Sequence, residues 1–128
     1  MKKIVVSIQN GLLAEGIMEM LRQSGGFQTF RIVSHRSNAV VNNCRIQAAD
    51  ILLAEVSYAD GATIDRRIVE AQELRLVCPG CKIAFLCDEN SSPEIAREVM
   101  TVKKDGLIDG FFYSSVTTKY LAAALESL

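Results

Sequence analysis

Residues 49–61 read ADILLAEVSYADG. Within them Ile51–Val56 is a short run, apolar except at Glu55, introduced by Asp50 and closed by the polar loop SYADG. Such runs are strands buried on both faces, the kind that parallel sheets contain. The next segment changes period: Ile64, Ile68, Ala71 and Leu74 form an apolar stripe along a helix over Thr63–Val77, and Pro79–Gly80 then punctuates the chain. The same strand-then-helix unit recurs in both directions. Downstream, Lys82–Cys87 (KIAFLC) predicts a strand. Ser91–Ser92–Pro93–Glu94 opens a helix, with serine as cap and proline in the first turn; Ile95, Val99 and Val102 line its buried side and Gly106 ends it. Leu107–Tyr113 (LIDGFFY) predicts another strand, and Ser115 or Thr117 caps a last helix with Tyr120, Leu121, Ala124, Leu125 and Leu128 inward. Upstream, Lys3–Ile8 (KIVVSI) predicts a strand. A helix follows with Leu12, Leu13, Ile17, Met20 and Leu21 inward and Gly25–Gly26 as its stop. Gln28–Ser34 is a more mixed strand that suits a sheet edge. Ser37–Ala48 is a weaker helix, with Ser37 as N-cap and Val40, Val41, Cys44 and Ala48 toward the sheet.

Repeated alternation of this kind needs crossover helices, hence a largely parallel sheet covered on both faces. With 128 residues, 49% of them hydrophobic, the chain suffices for one domain with a core, spanning 1–128 without internal repeat or linker. Charge narrows the partners. Fourteen basic residues face 15 acidic ones, and the basic clusters are only pairs: Lys2–Lys3, Arg66–Arg67 and Lys103–Lys104. Non-specific nucleic-acid binding needs several phosphates neutralised together, so direct DNA contact by this domain is not expected. No apolar run approaches the roughly 20 residues that span a bilayer, and no secretory leader is legible. The expected location is cytoplasmic, where the four cysteines need not be disulfide staples.

Ligands of such sheets sit beyond the carboxyl ends of the strands. Those ends carry Ile8, Gln9 and Asn10, then Glu55, then Cys87–Asp88–Glu89, then Tyr113–Ser114. Together with IVVSIQNGLLAEGIMEML, ADILLAEVSYADG, CKIAFLCDEN and DGLIDGFFYSSVTTKYLAAAL, they carry a resemblance over essentially the whole chain. The sequence resembles a receiver domain of the two-component response-regulator family. The resemblance implies a flavodoxin-like (βα)5 fold, doubly wound with strand order 2-1-3-4-5, two helices on one face and three on the other. It also implies signal output through the last two helices and the fifth strand. Regulators of this kind often continue into a DNA-binding domain, in which case transcription control is the process and DNA contact belongs there.

The family's phosphorelay chemistry does not transfer with the fold. Ile8 and Gln9 stand where members place two acidic Mg²⁺ ligands, Glu55 stands at the phospho-acceptor aspartate, Cys87 at the sensing threonine or serine, and Ser114 at the lysine. Only the switch aromatic keeps its character, as Phe111. Mg²⁺ wants near-octahedral oxygen ligands including carboxylates; isoleucine offers none and glutamine only a neutral amide. The expectation is a divergent pseudo-receiver domain without metal, cofactor or catalytic residues. Two roles are open to Glu55: a plain strand-end carboxylate, solvated or bonded to the loop after it, or a fixed stand-in for the phosphoaspartate.

Cys78–Pro79–Gly80–Cys81 is a CxxC motif, open to three readings: ordinary loop thiols, a redox pair forming a reversible disulfide, or part of a metal site. It follows a helix C-terminus, the wrong end of the dipole for a thioredoxin-like thiolate. Cys44 and Cys87 are not spaced as a second pair, and the lone histidine, His35, is expected at the opposite end of the sheet. QNGLLAEG after the first strand lacks the glycine spacing of nucleotide-binding loops. The leading reading is therefore a signalling and interaction module, meeting a protein partner or a second copy through a face that includes Phe112, Tyr113 and Tyr120. The alternative is a small enzyme or ligand-binding domain, which needs Glu55, Cys87 and Asp88 to converge on a pocket.

Overall fold

The computed structural model describes residues 1–33, 36, 38–88 and 93–128. Strands and helices alternate throughout: β1 (Lys2–Ser7), α1 (Gly11–Gln23), β2 (Phe27–Arg31), α2 (Ala39–Gln47), β3 (Ile51–Glu55), α3 (Ile64–Val77), β4 (Lys82–Cys87), α4 (Pro93–Lys104), β5 (Gly110–Tyr113) and α5 (Thr118–Glu126). The strands form one parallel sheet in the order β2-β1-β3-β4-β5. This is the flavodoxin-like arrangement, with its switch point between β1 and β3.

The strands are apolar because both faces are covered. Their side chains alternate between two cores. Ile4, Val6, Leu53, Ala84, Leu86 and Phe112 pack with Ala14, Ile17, Met18 and Leu21 of α1 and with Leu121 and Leu125 of α5. Val5, Leu52, Ala54, Ile83 and Phe85 pack on the other side with residues of α2, α3 and α4. Each fully buried Leu, Ile or Phe contributes about 1.5–3 kcal/mol to holding its helix on the sheet.

Local chemistry sets several element ends. Asn10 caps α1, its side chain accepting the Leu13 amide at 3.1 Å. Thr63 caps α3, and Thr117, one of the two expected caps, starts α5 by accepting the Tyr120 amide. α2 starts later than expected, after Asn38, and ends where Ala48 enters the left-handed region at φ +52°. That turn carries Ala48 out to solvent and puts Ala49 into the core in its place. β5 is shorter than its apolar run, because Leu107–Asp109 form the approach to the strand. Besides Ala48, two further inward assignments are corrected. Leu12 is 88% exposed and Tyr120 is 60% exposed. The buried positions of α1 are Ala14, Ile17, Met18 and Leu21, a strict i, i+3, i+4, i+7 stripe that leaves Leu12 outside it. The expected caps at Ser37 and Ser91–Ser92, the end of β2 at Ser34, and His35 lie outside the described residues.

Candidate functional site

The carboxyl ends of β1, β3 and β4 converge, with the loop after β5 beside them. Ile8 follows β1 directly and is fully buried, so its side chain belongs to the core rather than to the cleft. Gln9 turns outward, and its amide Nε2 donates to the Asp60 carbonyl in the loop after β3. The Glu55 carboxylate accepts the Gln9 backbone amide at 3.1 Å. Its partner thus lies in the loop after β1. Cys87 is buried at the end of β4, and its carbonyl accepts the Ser114 amide at 2.9 Å, which closes the β5 exit against β4. Ser114 itself is exposed.

Glu55, Cys87, Asp88 and Ser114 line one cleft with Asn10 and Leu13, a cavity of about 140 Å³. Glu89, the second carboxylate of that loop, lies outside the described residues. Among the described residues no three His, Cys, Asp or Glu side chains are placed to hold a metal ion.

Two arginines organise this end of the sheet. Arg67 on α3 is 1% exposed, and its guanidinium donates to the Ser7 hydroxyl at 2.9 Å, the Ser7 carbonyl at 3.0 Å, the Glu55 carbonyl at 2.8 Å and the Glu70 carboxylate at 2.9 Å. It thereby ties the last residues of β1 and β3 to α3. Arg31, at the end of β2, donates to the carbonyls of Ile8 at 3.1 Å and Gln9 at 3.3 Å. Burial pushes the Glu70 carboxyl up, against the lowering effect of Arg67 and then Arg66. Sequence reasoning missed Arg67 and Glu70. Their signal was available: they share spacing with Ala71 and Leu74, so the inner stripe of α3 contains an ion pair at i, i+3.

The aromatic residues of β5 divide as pleating requires. Phe112 is buried on the α1–α5 side, edge-on to Tyr120 with ring centroids 6.4 Å apart. Phe111 and Tyr113 lie on the other face, partly buried and edge-on to each other at 5.5 Å. Phe112, expected on the interaction face, is thus buried beneath α5, because pleating turns it to the α1–α5 side; Tyr120 of α5 and Met100 of α4 are 60% and 49% exposed. Cys78 and Cys81 are both free thiols; Cys81 is buried and Cys78 half-buried.

No protein-family model matches the chain, and no curated protein matches it. Solved structures do. A DNA-binding response regulator of the LuxR family from Staphylococcus aureus superposes with a TM-score of 0.77 at 8% identity, over 99% of this chain and 98% of that one. A two-component response regulator of the LuxR family from Aurantimonas sp. SI85-9A1 gives a TM-score of 0.75 at 14% identity, over 98% of this chain and 82% of that one. A streptococcal protein, from a family of redox sensors evolved from two-component response regulators, gives 0.76 at 16% identity over 99% of this chain; this chain spans 50% of its length. The fold is that of response-regulator receiver domains. Against that fold, the strand-end positions here hold Ile8, Gln9, Glu55, Cys87 and Ser114. Among the described residues no helix is long and apolar enough to cross a membrane.

Proposed function

We propose that this chain is a receiver-like signalling module that works without phosphoryl transfer and passes its signal through protein contacts on the α4–β5–α5 face. The observation that carries the reading is the composition of the strand-end cleft. An octahedral Mg²⁺ site needs converging oxygen ligands, whereas here Ile8 is turned into the core and the Gln9 amide nitrogen is engaged by Asp60. The Glu55 carboxylate spends one oxygen on a backbone amide. Ser114 supplies no positive charge to neutralise a transferring phosphoryl group. That a receiver ancestry is compatible with other inputs is supported by the streptococcal relative in fold, which is described as a redox sensor.

Output through α4, β5 and α5 is supported by the exposed Met100 and Tyr120, beside the exposed Lys103 and Lys104 at the end of α4. Aromatic residues and methionine are enriched in interface cores. The occupant of this face is a partner protein or a second copy of the chain. In a longer regulator the same face would report to a DNA-binding domain.

A second reading has one observation in its favour. Glu55, Cys87 and Asp88 do line one cleft, as a small enzyme or ligand-binding domain requires. Its volume of about 140 Å³ falls below the roughly 300–1,000 Å³ of ordinary small-molecule sites, and the signalling reading is preferred.

Intact mass with and without Mg²⁺ and acetyl phosphate tests the proposal. The expected result is no phosphoryl adduct at any time. One labile phosphoryl group per chain, lost in Glu55→Gln, would show that the substituted cleft still supports the transfer and would overturn the reading.

A further inference from the structure

Charge on α4 and α5 is sorted by flank. Two grooves of about 550 and 590 Å³ run beside β5 and share Lys103 and Phe111. The one along α4 is lined by Arg97, Met100, Thr101, Lys103, Lys104 and Phe111. Glu94 and Glu98, the acids of α4, line neither groove; at 3.6 residues per turn they fall about 120° and 160° around the helix from Met100. On α5, Tyr120, Ala124, Ser127 and Leu128 border the groove, while Lys119 and Glu126 border a hollow on the α1 side. Among the described residues Asp109 is the only carboxylate in the lining of either groove. Its Oδ2 already accepts from the Arg75 guanidinium and the Ile83 amide, each at 2.8 Å. Arg97, Lys103 and Lys104 are exposed, and no ion pair among the described residues engages them.

This face therefore offers three uncommitted cations in a protein whose net charge is −1. Beside them stand Met100 and Tyr120, 49% and 60% exposed, with Phe111 and Tyr113 half-buried along β5. The combination discriminates between occupants. A second copy meeting the face about a two-fold axis would bring the same patch against itself, cation to cation, with no free carboxylate in the lining to answer. Like charges set across an interface oppose association, and opposite ones steer it. The cations extend from Arg97 to Lys104, seven residues or about 10 Å of helix, which is more than one small anion reaches. Three cations are also few for a nucleic acid, whose binding rests on many neutralised phosphates. A segment of polypeptide meets both demands, since it carries carboxylates at intervals and apolar side chains for the interface core.

We propose that the α4–β5–α5 face binds an acidic segment of a different protein, with carboxylates against Arg97, Lys103 and Lys104 and an apolar or aromatic side chain over β5 between Met100 and Tyr120. The inference rests on the reading that this face carries the output. It goes further in fixing the partner's chemistry and in setting a second copy aside.

The probe is a library of short random peptides displayed on phage and selected against the full chain. The strongest binder is synthesised with a fluorophore, its affinity is measured by anisotropy, and its site is mapped by amide chemical shifts. Enriched peptides should hold an excess of Asp and Glu around Phe, Trp or Leu, and the shifts should fall on α4, β5 and α5. Replacing Arg97, Lys103 and Lys104 together by Gln should weaken binding about tenfold, whereas Glu94→Gln with Glu98→Gln should leave it within about twofold. In the unsubstituted chain, raising salt from about 0.05 to 0.5 M should weaken binding several-fold, a readout that depends on no variant folding. Peptides that map to this face but are not acidic, or whose affinity ignores salt and the triple substitution, would overturn the proposal and leave the output-face reading standing. Binders mapped to another face would count against both. The proposal also fails if no peptide is enriched, if the free chain sediments as a dimer that Tyr120→Ala abolishes, or if an oligonucleotide binds the same residues more tightly than any peptide.

Discussion

From one guanidinium Arg67 reaches four oxygens, two on Ser7 and one each on Glu55 and Glu70. An arginine this deep is stable because four of its N–H groups find acceptors. Removing one partner of a buried pair strands the other, at about 3–5 kcal/mol. Arg67→Met should lower the unfolding free energy in urea by that amount. The double substitution Arg67→Met with Glu70→Leu should be distinctly more stable than the single one, since no uncompensated charge is left. Equal destabilisation would mean that Arg67 matters through its bonds to Ser7 and Glu55 rather than through Glu70. The pair also shapes the pH response. Glu70 is raised from its ordinary value of 4.5 by burial. Above pH 4.5 the folded chain still holds the Glu70 proton that the unfolded chain has lost, so stability falls as pH rises through the folded pKa. Glu70→Gln should flatten that part of the curve, and Arg67→Met, which removes the leading influence opposing burial, should steepen it. Urea midpoints measured upward from pH 4.5 decide both points. An unchanged slope in Glu70→Gln would assign the titration to another group. Their shared spacing with Ala71 and Leu74 was the one sign in the sequence, and it was masked because Arg66–Arg67 reads as a surface basic pair; the inward turn of Arg67 depends on acceptors 60 and 12 positions away.

Helix stripes were legible as periodicity and less so as phase. The spacing correctly placed Ile17 and Leu21 in α1, Val40, Val41 and Cys44 in α2, and Leu121 and Leu125 in α5. It put Leu12 and Tyr120 on the wrong side, because a residue in the first turn of a helix faces whatever the preceding loop leaves beside it, and sequence spacing alone does not carry that angle. Ends governed by single residues were clearer: Thr117 was an expected cap, and Gly106, at φ +83°, stops α4. The end of α2 at Ala48 was legible, but its left-handed turn was not, since alanine is a poor signal for one. There Ala48 sits at φ +52°, a conformation that costs an L-residue about 1–2 kcal/mol and glycine almost nothing. Ala48→Gly should therefore raise stability by about 0.5–1 kcal/mol, read as a higher urea midpoint at unchanged m-value. No gain would mean that the strain is already relieved by the cap bonds of the Ala48 amide to the Arg45 and Cys44 carbonyls.

At the scale of the whole molecule, the order β2-β1-β3-β4-β5 leaves β2 and β5 as edges and buries β1, β3 and β4 between neighbours. The mixed composition of β2 and its half-exposed burial pattern fit the edge position expected for it. Amides of Ile4–Val6, Leu52–Ala54 and Ala84–Leu86 should exchange with deuterium most slowly, near the global unfolding limit. Those of β2 and β5 should exchange sooner. Uniform protection across all five strands would mean that the sheet opens only as a unit. The receiver-like order was implied by resemblance along the chain; alternation alone specifies parallel strands and two covered faces, and leaves the neighbours of each strand open.

The sequence by itself determined the alternation of elements, the burial of the sheet on both faces, and which residue types stand at the strand ends, because these are local properties of period, composition and position. Tertiary structure alone decided that Arg67 points inward and that Glu55 binds the Gln9 amide. Those contacts join residues 60 and 46 positions apart. Their geometry follows from strand order and helix docking, which no local pattern encodes.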